Sequence, residues 1–248
     1  MSDRERDITG TFVRITSSLA NGADVVDMLS GLTTDCVRLL DIESAGLLLA
    51  DDRGVLHVLA ASSEATRDLE LYQLQDEQGP CVDCFRGGSS VSVADLRTEQ
   101  ERWPLFVTKA LAAGVASVHA VPLRLRESVL GTLGLFGANV GLLNDDDASL
   151  GQALADVASV ALIQDRAASD QAVITEQLQG ALRSRVVIEQ AKGVLAQLGD
   201  LGMDAAFAAL RRYARDQNLR LSDVASSIVD RSVSGHTVLE HVRSRGAH

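Results

Sequence analysis

The sequence predicts an α+β chain in which an antiparallel-sheet domain is joined by a long helix to a small all-α bundle of three helices. Three observations lead there. Short apolar runs separated by turn residues fill much of the first 140 positions, as the strands of an antiparallel sheet do. Between Asp145 and Gly180 the only intervening Gly is Gly151 and there is no Pro, which suits a long helix. Beyond Leu182 come three helix-sized segments, and there the charge changes sign. Residues 181–248 hold ten Lys or Arg against seven Asp or Glu, net +3 in a chain of net −11, which leaves −14 for residues 1–180.

Taken in order, residues 1–23 read as an amino-terminal helix or arm. From Asp24 to Leu40, Val25, Val26, Met28, Leu29, Leu32, Val37 and Leu40 recur at helical spacing. Apolar runs at 45–50 and 55–61 flank "DDRG", whose Asp and Gly supply turn chemistry, so a hairpin is expected. Further strands are expected at 90–94, 117–126 and 129–137, the last two joined through Arg126–Ser128. "TEQERWPLFVTKALAAG" reads as helical after Pro104 and stops at Gly114. Over 146–179 Leu150, Leu154, Val157, Ala161, Leu178 and Leu182 lie near heptad spacing, interrupted by Gln164, Gln171 and Thr175. Such a helix either packs on its own domain or pairs, in its far half, with a second copy; the second reading is adopted here.

In the first bundle helix, 183–198, Val187, Ala191, Val194 and Leu198 share one face, and Arg185, Glu189 and Lys192 share the opposite one, so the basic row should face away from the core. The second, about 204–216, turns Ala206, Phe207, Leu210 and Ala214 inward, flanked by Arg211, Arg212 and Arg215. In the third, about 222–233, Ser222 is the expected N-cap, Asp223 lies in the first turn, and Val224, Ala225 and Ile228 point inward. Residues 236–248 read as a basic, unpatterned tail.

Composition excludes several classes. With 248 residues and 46% hydrophobic content the chain can build a core in each of two domains. The amino end lacks the basic-then-apolar order of a secretory signal and no run approaches the length of a membrane span, so a cytoplasmic protein with no membrane partner is expected. Three cysteines, Cys36, Cys81 and Cys84, are too few for a disulfide framework and should be thiols.

Arg185, Lys192, Arg211, Arg212, Arg215, Arg220 and Arg231 crowd into fewer than fifty positions, and guanidinium groups pair with phosphate and stack on bases. The order of residues around them carries more. "AKGVL" at 191–195, "AAFAALRRYA" at 205–214 and "LSDVASSIV" at 221–229 resemble the three signature helices of the ANTAR domain, an RNA-binding transcription antitermination module of bacteria, over about residues 180–233. Ala196 departs from the Met often found there, and "GDLGMDA" lacks the Ser or Pro often seen before the second helix. The resemblance implies binding to paired hairpin loops of a leader RNA. It puts Ala191, Lys192 and Gly193 in the first motif, Ala206, Phe207, Leu210 and Arg211 in the second, and Val224 and Ala225 in the third. Arg185, Ala191, Lys192, Gly193, Arg211, Arg212, Tyr213 and Arg215 are the candidate RNA-binding residues. Lys192 and Arg211 would contact phosphate or base, Tyr213 would stack on an unpaired base or pack, and Phe207, Leu210, Val224 and Ala225 read as core.

Upstream, "DIESAGLLLADDRGVLHVLAASS", "QGPCVDCFRGGSSVSVADL", "RWP" and "VPLRLRESVLGTLGLF" resemble a GAF domain, the small-molecule sensing fold with a central antiparallel sheet. In this order the two look like the GAF and ANTAR regulators of actinobacteria. The domains expected are a GAF sensor at 24–165, a connecting helix at 166–180 and an ANTAR bundle at 181–235. The resemblance implies a non-enzymatic homodimer with a GAF pocket either for an unidentified small molecule or for none, since GAF domains of both kinds exist. The sequence names no cofactor, since it has no phosphate loop or metal set. "CVDC" makes Cys81 and Cys84 sensor candidates, either redox-active or simply lining the pocket wall; a single pair is too few ligands for structural zinc. His57 and His119, in strands, are either structural or candidates for a haem ligand. Two rival readings stand: a cysteine-dependent GAF-fold redox sensor or reductase using Cys36, Cys81 and Cys84, and a helix-turn-helix binder of duplex DNA, for which "SDVASSIVDRSV" offers few base-reading side chains.

Overall fold

The structure is a computed structural model and describes residues 3–20, 24–163 and 171–245. Helix α1 is Asp3–Ala20 and α2 is Val25–Leu39. Strands β1 (Ser44–Ala50) and β2 (Leu56–Ala61) form the hairpin, followed by α3 (Glu64–Asp76), α4 (Pro80–Gly87), β3 (Val91–Val93) and α5 (Pro104–Ala112). Strands β4 (Ser117–Leu125) and β5 (Ser128–Gly137) lead into α6 (Asp145–Ile163). The carboxy-terminal part is α7 (Gln171–Gly199), α8 (Met203–Asp216), α9 (Leu221–Val229) and α10 (Gly235–Arg245). Residues 236–248 read as unpatterned in sequence, yet Val238 and Leu239 bury against the bundle and make most of that tail a helix.

The sheet runs β2-β1-β5-β4-β3, antiparallel throughout. Both faces are covered. Alternation along β1 sends Leu47 and Leu49 to one side and Leu48 to the other. On the first side lie α2 and α6, whose Leu29, Leu32, Leu154 and Ala158 share a core with Val121, Leu133 and Leu135. On the second, Leu48, Val118 and Phe136 pack with Trp103 and Phe106 of the α5 region, whose rings meet edge to face at 6.3 Å, and with Cys81 and Cys84 of α4. The apolar stripe of α6 is thus used inside its own domain. Residues 164–170, and the side chains of Gln164, Gln171, Thr175 and Leu178 on which the far-half pairing reading leans, lie outside those described.

The carboxy-terminal bundle rests on the α2 side of the sheet domain, where Ile188, Leu195, Leu210, Leu221 and Val224 continue the first core. Asp24 fixes one corner of this junction. Its Oδ1 accepts from the amides of Val26 and Asp27, capping α2 at 2.9 and 3.2 Å, and its Oδ2 accepts from the Ser222 amide at 3.0 Å and from the Ser222 hydroxyl. One carboxylate therefore serves the amino ends of two helices, each with a partial positive charge. Ser222 is not the N-cap expected from sequence: Arg220 holds that position, with no side-chain cap, because Asp24 supplies the acceptor from another domain.

Candidate functional site

Helix α7 buries a different face from the one its branched residues suggest. Ala181, Arg185, Ile188, Lys192 and Leu195, spaced four, three, four and three, point inward; Val194 and Leu198 are 37% and 40% exposed. The basic row does not face away from the core. Arg185 is 7% exposed and Lys192 only 1%. A buried cation needs partners, and both have them. Lys192 Nζ donates to Glu64 of α3 and, at 3.2 Å, to Glu189, and lies 5.2 Å from the centre of the Phe207 ring. Arg185 pairs with Glu189 at 2.5 Å, one turn along its own helix, and Glu189 also meets Arg67 of α3 at 3.6 Å. Arg211 donates from Nε to Asp27 Oδ1 at 2.6 Å and stands over the same Phe207 ring at 5.8 Å. Burial lowers the Arg185 pKa from its usual value, with the Arg67 charge acting the same way and Glu189 opposing it.

The other candidates scatter. Ala191 is wholly buried, and Gly193 is exposed with open space around it. Arg212 reaches Asp216 at 3.9 Å, one turn on, and Arg215 is exposed. Tyr213 is half-buried and makes a T-shaped contact with His241 of α10, ring centres 5.2 Å apart. Leu210, Val224 and Ala225 are core, and Phe207 is half-buried between the two cations. The structure thus brings Lys192, Arg185 and Arg211 to one seam and adds Asp24, Asp27, Glu64 and Arg67, which sequence reasoning missed. The partners of Asp24, Asp27 and Glu64 lie 128 to 198 positions away, Arg67 meets Glu189 from a comparable separation, and no local pattern marks them.

The cysteines occupy two places. Cys36, on α2, lies in the core on one face of the sheet; Cys81 and Cys84 lie in the core on the other. A relay through all three would have to cross the sheet, so the thiol-reductase arrangement is not assembled here. Cys81 has an unusual setting. Its amide donates to Gln73 Oε1 at 3.0 Å, and its Sγ is 3.7 Å from Glu70 Oε1, whose second oxygen accepts from Gln73 Nε2 at 2.7 Å. All three side chains are buried. Room for them comes from Gly46 and Gly134, register partners on β1 and β5: a Cβ at Gly134 would stand 2.8 Å from Cys81 Sγ and 2.9 Å from Glu70 Oε1. Burial pushes Glu70 up to about 8, Cys84 up to about 12 and Cys81 well above the ordinary thiol value. Cys36 is likewise raised to about 12, chiefly by burial. Thiolates are the reactive form. The three thiols should therefore react with a disulfide reagent at least about a hundredfold more slowly than a free cysteine in the native chain, and at the full rate once denaturant is added. Fast native labelling of Cys81 or Cys84 would favour the redox reading.

His57 is exposed and pairs with Asp51 at 3.1 Å, whereas His119, its pKa lowered by burial, meets Ser92 Oγ at 2.6 Å across β3 and β4. Among the described residues no cluster of three or more His, Cys, Asp or Glu could hold a metal ion, and no helix is long and apolar enough to cross a membrane.

Comparison with known proteins places families on both halves. The GAF domain family matches residues 22–163 and the ANTAR domain family residues 176–229. No curated protein matches the chain. Among solved structures, the GAF domain of an Acinetobacter phosphoenolpyruvate-protein phosphotransferase is 17% identical, covering 65% of this chain and 94% of its own, with TM-score 0.50. The free methionine-R-sulfoxide reductase of Neisseria meningitidis, in complex with its substrate, is 17% identical over 73% of this chain and 95% of its own, with TM-score 0.49. At 17% identity the first of these likenesses shows the fold alone. The chain belongs to the GAF domain family and carries, after its GAF domain, an ANTAR domain.

Proposed function

We propose that this chain is a non-enzymatic, cytoplasmic transcription antitermination regulator whose ANTAR bundle binds paired hairpin loops of a leader RNA under control of the GAF domain. The observation that carries the reading is the seam. Lys192 and Arg211, the two cations that fall on the ANTAR motifs, are the side chains that Glu64 and Asp27 of the GAF domain hold. A carboxylate against Lys192 takes the place a phosphate oxygen would occupy, so the arrangement is closed to RNA and a signal to the GAF domain would act by opening it. The acidic sensor also repels RNA backbones in general, leaving affinity to a correctly shaped loop. A homodimer carrying two bundles holds two hairpins at once, with an effective concentration for the second contact of about the mM range.

The test is titration of a two-hairpin leader RNA against the full chain over a salt series. Four phosphate contacts per bundle give a slope of about −3 in log affinity against log salt on single-stranded loops. Arg211→Ala and Lys192→Ala should weaken binding about tenfold or more. Because both also touch the seam, Arg215→Ala, exposed and outside the seam pairs named above, is the cleaner reporter and should lower the salt slope by about 1. Equal binding of duplex DNA and hairpin RNA would favour the helix-turn-helix alternative instead, and unchanged binding in all three variants would remove this face from RNA recognition.

A further inference from the structure

Between the two domains lies a cavity of about 360 Å³, walled by Ser62, Ser63 and Arg67 of the GAF side and by Arg185, Lys192, Phe207 and Arg211 of the ANTAR side. Its size is that of a small-molecule site. The walls carry four cations, Arg67, Arg185, Lys192 and Arg211, against two carboxylates, Glu64 and Asp204. From outside the wall Asp27 serves Arg211, and the single carboxylate of Glu189 is shared by Arg67, Arg185 and Lys192. Glu189 cannot saturate three cations. Among the described residues the Nε–H groups of Arg67 and Arg185 are buried and find no hydrogen-bond partner, and the Arg185 side chain is only 8% exposed. An orphaned buried N–H is costly to leave, and two on neighbouring guanidinium groups of opposite domains are an invitation to one acceptor with several oxygens. Guanidinium forks match phosphate geometry.

We propose that this interdomain cavity is a binding site for a small phosphate-bearing molecule that bridges Arg67 of the GAF domain and Arg185 of the ANTAR domain. The hydroxyls of Ser62 and Ser63 supply further donors, and Phe207 forms an apolar wall for whatever the phosphate carries. Such a ligand contacts both domains only when they are together. It binds the closed arrangement in preference to the open one, and by linkage lowers the affinity for RNA by the factor by which RNA lowers its own. The effect on RNA rests on the proposed function; the binding itself does not.

Calorimetric titration of the full chain at constant ionic strength tests the site, with inorganic phosphate, pyrophosphate and a nucleoside diphosphate as probes and chloride as blank. At least one phosphate probe should bind saturably. Arg67→Gln and Arg185→Gln should weaken it at least about tenfold, and Arg86→Gln, which removes an exposed guanidinium paired with Glu77, should not. Should the buried Arg185 variant fail to fold, Arg67→Lys decides: it keeps the charge, removes the Nε–H and should still bind about tenfold more weakly. Tighter binding of the nucleotide than of pyrophosphate assigns the ligand to nucleotides, equal binding to inorganic anions, and either supports the site. No saturable binding by any probe, or equal loss in Arg86→Gln, overturns it. With the probe present, apparent RNA affinity should fall. If the chain binds the probe but no hairpin, the RNA reading fails and the anion site stands; if it binds hairpins but no probe, the reverse holds.

Discussion

Replacing Glu64 by Gln and Asp27 by Asn in the same chain should raise its affinity for a two-hairpin leader RNA by about 10- to 100-fold, or about 1.4 to 2.7 kcal/mol. The two pairs differ in weight. Arg211 and Asp27 are each about two-fifths exposed, so that pair contributes at most about 1 kcal/mol to closure. The Lys192 side chain is 2% exposed, and removing the Glu64 charge leaves a desolvated ammonium with only the shared Glu189. An unpaired buried cation is destabilising by several times the worth of a surface pair, about 3 kcal/mol at the upper end. Relief comes most easily by opening the seam, which hydrates Lys192 and exposes it to RNA. Small-angle scattering should report a larger radius for the double variant, and Glu77→Gln, on an exposed pair elsewhere, should change neither quantity. A folded double variant with unaltered RNA affinity would show that the seam does not govern binding.

The same seam marks the boundary of what was legible in the sequence. Turn residues and apolar runs placed all five strands within a residue or two, since a two-residue alternation around "DDRG" or Arg126–Ser128 has few other readings. Helix α3 was invisible because its buried face is partly polar: Thr66, Glu70 and Gln73 go inward beside Leu69, which no hydrophobic period records. Helix α7 was found but turned. It carries two apolar stripes, and sequence reasoning chose the one that leaves Arg185 and Lys192 in solvent, the ordinary place for cations. The stripe that is buried takes in Lys192 with the help of Glu64, more than a hundred positions earlier, and of Glu189 on its own helix. Charge pairing between domains has no local period, so the RNA-motif residues were legible while their state was not.

Glu70→Gln should abolish most of the pH dependence of GAF-domain stability between about pH 5 and 8 and make the chain more stable than the parent at pH 8, by up to about 4 kcal/mol. Burial against Gly46 and Gly134 holds the Glu70 carboxyl at about 8 in the folded chain, partly offset by hydrogen bonds from Cys81 and Gln73. Unfolded, it ionises at its ordinary value of 4.5. Between those limits the folded state holds a proton that the unfolded state has lost, so stability is fully present below about 4.5, falls as pH rises and levels off above about 8. This is the reverse of a salt-bridged carboxylate, whose contribution fades in acid. Glutamine is neutral throughout and keeps a donor and an acceptor for Gln73, so its curve lacks that slope. The only tryptophan, Trp103, is 1% exposed in the same core as Cys81, and its fluorescence in denaturant series at pH 5, 6, 7 and 8 follows this region directly. Parallel curves for parent and variant would mean that Glu70 is ionised in the folded protein and that some other group compensates its charge. The stake is more than local, because Glu70 sits on the helix whose first turn carries Glu64 and Arg67 to the seam. A single helix, α3, is thus held by an uncharged carboxyl in the sensor core and by charged side chains against the ANTAR bundle.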